Sequence, residues 1–153
     1  MAHRKLAVDN LGGEHEQLAE QMQYVSTKST EEVVAQVDQK AALVRAAITR
    51  GNSIEALERA LTEPPYGRGM EAAQAANAQL VSEILMATRT QDIGNVVDSM
   101  SEDDRDTLLK YIYHGLARPA EFNCGVLLSW HERVIESGGL GSIVRVMSDR
   151  RTV

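Results

Sequence analysis

Trp130-His131-Glu132 sets a histidine beside a glutamate. This is how the helical zinc-protease pattern opens, in which two histidines four residues apart hold the metal and the glutamate acts as base. The second histidine is absent, because position 135 is Ile. His3, His15 and His114 offer no close second ligand, so the expectation is no metal site and a His131 ring bonded to a neighbour. Gly138-Gly139-Leu140-Gly141-Ser142 has the look of a phosphate-binding loop. It lacks the P-loop lysine, has Val144 where a dinucleotide fingerprint needs its third glycine, and follows no strand. The reading is a tight helix-to-helix turn, in which the glycines adopt positive φ and let two backbones approach closely.

Cys124 would need a histidine and an orienting partner to act as a nucleophile, and none stands nearby in the sequence. A small buried hydrophobe is expected instead. The carboxylates fall at helix starts and on polar faces, with no apolar pocket indicated to raise one of their pKa values. No catalytic, cofactor-binding or metal residue is assigned. Arg145, Arg150 and Arg151 form a basic end on an acidic chain. They suit the negative end of a helix dipole, and they equally suit carboxylates across an interface. Trp130 reads as core, while Tyr111 and Tyr113 could be core or binding anchors.

The elements that would carry these residues are helices. Ser29 and Glu32 fit a capping box, and Val33, Val37, Ala41, Val44 and Ile48 follow as one stripe up to Gly51. Asn52-Ser53 opens a second helix that Pro64-Pro65 ends. After the Pro64–Gly69 loop, Ala73, Asn77, Leu80, Val81, Ile84 and Leu85 mark a third. A short fourth spans Asp92–Met100. Ser101 with Glu102, Asp103 and Asp104 starts a fifth that carries Leu108, Leu109 and Ile112 to about Gly115. A sixth, beginning near Pro119, carries Val126, Leu127, Trp130 and Val134 to Gly138-Gly139. Leu140, Ile143, Val144 and Met147 give a seventh stripe. The expected core includes Leu109, Ile112, Leu127, Trp130, Ile143 and Val144, with Gly139 and Gly141 at its turn.

The fold expected is all-α, a single-domain α-α superhelix or bundle of about seven helices over residues 29–153. Residues 1–28 lack a sustained helical pattern. Arg4, Lys5 and Lys28 oppose Asp9, Glu14, Glu16 and Glu20, and Leu6, Val8 and Leu11 are scattered apolar anchors. Such a segment reads as an extended arm that gains order on a partner. At 153 residues the chain is long enough to bury one sizeable core. Hydrophobic residues at 43% and charged residues at 25% are ordinary, whereas aromatics at 4% are few. The net charge of −6 argues against a nucleic-acid surface. One cysteine, no apolar run after Met1-Ala2-His3-Arg4-Lys5 and no run of 18 or so apolar residues point to an intracellular protein without membrane insertion.

Three segments carry a family likeness: Lys110-Tyr111-Ile112-Tyr113-His114-Gly115, Leu127-Leu128-Ser129-Trp130-His131-Glu132 and Gly138–Val146, running on to Thr152-Val153. In that order they closely resemble the subunit 5 family, the smallest subunits, of the actin-related protein 2/3 complex. Gly51-Asn52, Ala56-Leu57, Ala60-Leu61 and Pro64-Pro65 extend the likeness upstream, and Arg4-Lys5-Leu6 with Val8-Asp9 resembles the family's N-terminal arm. The resemblance implies an all-α superhelical core with no catalytic residues and no cofactor. It also implies a core docked on another small scaffold subunit and an arm reaching the β-propeller subunit and the nearby actin-related protein. The job implied is structural, holding the propeller in a cytoplasmic assembly of the actin cytoskeleton that nucleates branched filaments. Partner-binding residues on this view are Arg4, Lys5, Leu6, Val8, Asp9 and Leu11 in the arm, with Arg145, Arg150 and Arg151 at the other end. The competing reading is a free-standing helical adaptor that binds peptide segments in a groove.

Overall fold

The computed structural model describes residues 29–67 and 69–153. The expected arm residues Arg4, Lys5, Leu6, Val8, Asp9 and Leu11 lie outside the described residues. Among the described residues six α-helices run in chain order: α1 (Thr30–Thr49), α2 (Ser53–Leu61), α3 (Glu71–Ala87), α4 (Ile93–Ser99), α5 (Glu102–Leu116) and α6 (Cys124–Ser148). A 3-10 turn at Thr90–Asp92 leads into α4. No strand occurs among the described residues, and the fold is all-α.

Local chemistry sets most helix starts. At α1 the Ser29 Oγ accepts from the Glu32 N–H at 3.3 Å while the Ser29 N–H donates to Glu32 Oε2 at 3.2 Å, so two otherwise unpaired donors are satisfied. Asn52 Oδ1 caps α2 through the Glu55 N–H, Ser101 Oγ caps α5 through the Asp104 N–H, and Asn123 Oδ1 caps α6 through Gly125 and Val126. The α6 start is therefore four residues beyond Pro119, at a capping asparagine.

The stripes then pack. α1 lies against α2 and α3, and α6 packs most extensively on α5 while also touching α3 and α4. Val44, Leu57, Leu80, Ile84, Leu108, Leu109, Ile112 and Trp130 fill one continuous core, and a smaller cluster of Val33, Val37, Met70 and Ala73 closes the start of α1 over the start of α3. Asn77 is fully buried within this packing, where its Nδ2 donates to the Ala60 carbonyl and to the Tyr111 hydroxyl. Burial pushes the Tyr111 phenol well above its usual range, so it stays neutral as a hydrogen-bonding group.

The helix count is one below the expected seven, because the sixth and seventh form a single run kinked at Gly139 (φ 69°, ψ −179°). Beyond that kink the expected core face is not the buried one. Ser142 and Val146 are buried and Ile143 is half-buried, but Val144 is 66% exposed and Leu140 and Met147 are exposed beside it. Gly139 and Gly141 are also exposed. Gly139 serves the backbone conformation rather than the core. Cys124, expected buried, is half-buried at the opening of α6.

Candidate functional site

The charged and aromatic residues of the C-terminal third converge where residues 149–153 fold back over α5. Lys110, on α5, donates to Asp149 Oδ2 at 2.6 Å; with the lysine side chain only 10% exposed, this is the most enclosed of the ion pairs found among the described residues. Arg151 closes on the same carboxylate, from Nη2 to Oδ2 at 3.0 Å, and its backbone N–H donates to Asp149 Oδ1. Burial alone would raise the Asp149 carboxyl. The hydrogen bonds from Arg151 and Lys110 outweigh it and hold the group well below the usual carboxylate range. Tyr66, in the α2–α3 connection, presents its ring to both cations, 5.1 Å from Lys110 Nζ and 5.3 Å from the Arg151 guanidinium carbon.

The expected basic end is thus largely engaged within the chain. Arg145 reaches back to α5, bonding Asp106 through Nε and Nη2 and Glu102 through Nη1 at 2.8 Å. These partners hold its pKa above the ordinary arginine value. Arg150 is exposed after the end of α6. Sequence reasoning missed Lys110, Asp106, Asp149 and Tyr66 as the residues that receive this basic end. Asp106 is 39 positions from Arg145 and Lys110 is 39 from Asp149, with Tyr66 farther still from Arg151, and no local pattern marks such a pairing.

Two further contacts fix α5. His114 Nδ1 lies 2.9 Å from the Val153 carbonyl oxygen, and the Val153 side chain is buried in the core. Burial and the neighbouring Arg118 charge lower the His114 pKa, which favours a neutral ring donating from Nδ1. Tyr113 Oη meets His131 Nε2 at 3.1 Å, giving the histidine the bonded neighbour expected of it. Among the described residues no group of three or more His, Cys, Asp or Glu side chains is arranged to hold a metal ion. No helix of the described residues is long and apolar enough to cross a membrane.

A cleft of about 450 Å³ opens between α5 and the folded-back residues, lined by Tyr113, His114, Arg118, Met147 and Val153 among others. The candidate core residues divide around this region. Leu109, Ile112, Leu127 and Trp130 are buried beneath it, while Val144 stands outside on the surface. What the arrangement offers chemically is a braced helical surface with charge and apolar area.

Residues 2–153 match the model of the family described as "ARP2/3 complex 16 kDa subunit (p16-Arc)". Among curated proteins, actin-related protein 2/3 complex subunit 5-C of Xenopus laevis is 37% identical over 110 residues, covering 72% of this chain and 73% of the relative. Subunit 5 of Saccharomyces cerevisiae is 36% identical over 131 residues, covering 85% and 82%. Subunit 5 of Dictyostelium discoideum is 34% identical over 126 residues, covering 82% and 90%.

Proposed function

This chain belongs to the ARP2/3 complex 16 kDa subunit (p16-Arc) family, and on that premise we propose that it is a non-catalytic structural subunit of an actin-related protein 2/3 complex. The observation that carries this reading is the family match over residues 2–153, supported by relatives named as subunit 5 from amphibian, yeast and amoeba. Its place of work on this reading is the actin cytoskeleton in the cytoplasm.

The finer role is to hold the β-propeller subunit in the assembly. Residues 1–28, with Arg4, Lys5, Leu6, Val8, Asp9 and Leu11, contact the propeller and the nearby actin-related protein, while the helical residues 29–153 dock on a small scaffold subunit. The well-braced helices support this division, because a docking body needs a rigid surface more than a reactive group. Arg145 and Arg151 act first as internal braces, and all three arginines remain on the exposed surface that a partner would meet.

Affinity purification of the tagged chain from its native cytoplasm, with gel filtration and mass spectrometry of the eluate, tests the reading. Recovery in a stoichiometric particle with actin-related proteins and a β-propeller protein is expected. A lone monomer, or a set of unrelated clients, overturns it in favour of a free adaptor.

A further inference from the structure

The segment of α6 after Gly139 has two faces of opposite character. Ser142, Arg145, Val146 and Asp149 recur at helical spacing and turn toward α5, which they meet through packing and ion pairs. Leu140, Val144 and Met147 recur at intervals of four and three on the solvent side, 73%, 66% and 67% exposed. Scattered exposed hydrophobics are ordinary, but three large ones in a row on one helical stripe make a contiguous patch. Met147 also lines the cleft beside α5, so stripe and cleft are one continuous surface.

The charge at that cleft is opposite to the charge of the whole chain. Lys110, Arg118 and Arg151 face one side-chain carboxylate, Asp149, across its walls. The balance stays positive when an α-carboxylate on Val153 is counted as well, and His114 is held toward its neutral form. A chain of net charge −6 therefore presents an apolar patch next to a local excess of positive charge. The complementary occupant has apolar anchors and acidic residues, since opposite potentials across an interface steer encounter and fix register.

We propose that Leu140, Val144 and Met147, with the adjoining cleft at Tyr113 and Arg118, form the docking surface for an acidic, apolar-anchored segment of another subunit of the complex. This rests on the subunit reading above and assigns a surface and a partner chemistry to it. Apolar area gives the contact its affinity, and Arg118, which donates to the His114 carbonyl at the cleft wall, gives it charge selectivity.

The test uses the full chain in the assembled complex. A photo-cross-linking benzoylphenylalanine at Leu140 maps the neighbour, and Val144→Asp combined with Met147→Asp measures the contribution of the patch, with Leu43→Asp on α1, an exposed leucine outside the patch, as control. Cross-links to an acidic stretch of another subunit, at least a tenfold loss of incorporation for the double variant, and normal incorporation of Leu43→Asp are expected. All chains should melt like the unmodified one, because the substituted residues are exposed. Cross-links to residues 1–28 or to a second copy, wild-type incorporation of the double variant, or equal loss with Leu43→Asp overturn the surface while leaving subunit membership standing. Failure of the unmodified chain to enter the particle overturns the subunit reading itself, and this proposal with it.

Discussion

The indole N–H of Trp130 donates to the backbone carbonyl of Leu85 across 3.2 Å of fully buried space. Leu85 lies in the last turn of α3, where carbonyls run out of helical partners. One side chain from α6 thus fills the core and also satisfies an orphan acceptor on α3. This joins the likeness-bearing C-terminal third to the first helices of the bundle.

Trp130→Phe separates these two contributions. The variant keeps most of the apolar bulk but leaves the Leu85 carbonyl unpaired, at an expected cost of about 1–3 kcal/mol. Trp130→Ala adds a cavity, for about 3–5 kcal/mol. Urea denaturation of both variants checks the order. Equal loss in the two would mean the ring's volume contributes nothing beyond its hydrogen bond.

Gly139 holds a φ, ψ combination open almost only to glycine, yet a Cβ there would meet no atom within 4 Å. Gly139→Ala is therefore a test of backbone strain alone, expected to cost about 1–3 kcal/mol. Gly94, within α4, also has open space around it but no positive φ. Gly94→Ala should stabilise by about 0.5–1 kcal/mol through unfolded-state entropy and helix propensity. Thermal melts of the pair decide the matter, and a neutral Gly139→Ala would remove the kink's claim on glycine.

Much of this architecture is legible in the sequence because its signals are local. Ser29, Asn52 and Ser101 cap the helices they were expected to cap, and the stripes Val33–Ile48 and Ala73–Leu85 each contribute buried residues to the core. Asn123 is an equally local signal, and α6 opens there rather than near Pro119. The orientation of the last segment was not legible. Hydrophobicity alone selects Leu140, Ile143, Val144 and Met147 as the inward face, and of these only Ile143 packs partly on the core. The structure instead turns Ser142 and Val146 inward, because Arg145 is drawn to Asp106 and Glu102 and Asp149 to Lys110. Ser142 tolerates burial by bonding the Gly138 carbonyl. Contacts between residues more than thirty positions apart decide the face, and periodicity within one helix cannot register them.

The Asp149 carboxylate should be a measurable source of acid sensitivity. Its folded-state pKa is depressed, so its contribution is present above the unfolded value of about 4 and is lost as pH falls toward the folded value. Asp149→Asn is expected to cost about 1–2 kcal/mol at pH 7, a modest figure because the carboxylate is a quarter exposed. The gap between variant and parent should narrow on going from about pH 4 to pH 2. Urea midpoints across that range give the answer. A gap independent of pH would exclude the ion pair as its cause.

His114 acts in a higher window with the same direction. Its folded pKa lies below the ordinary value, so the unfolded chain takes up the proton first and stability falls as pH drops below about 6.5. His114→Gln keeps a donor for the Val153 oxygen and removes the titration. Melting temperatures at pH 7.5 and pH 5.5 should differ less in the variant than in the parent. An unchanged difference would place the titration elsewhere.

Deleting residues 1–28 tests the proposed division of labour directly. The capping box that starts α1 uses only Ser29 and Glu32, and the Val33 N–H bonds the Ser29 carbonyl, so these contacts of the first turn survive the cut. An initiator methionine preserves the Ser29 amide that donates to Glu32. Helicity and melting temperature should therefore stay close to those of the full chain. Incorporation into the complex should instead weaken, with the β-propeller subunit the first component lost on washing, because the arm is proposed to hold it. A sharp drop in melting temperature would show that the helices depend on the arm for their own stability. Full incorporation with a retained propeller would leave residues 29–153 to carry the whole interaction.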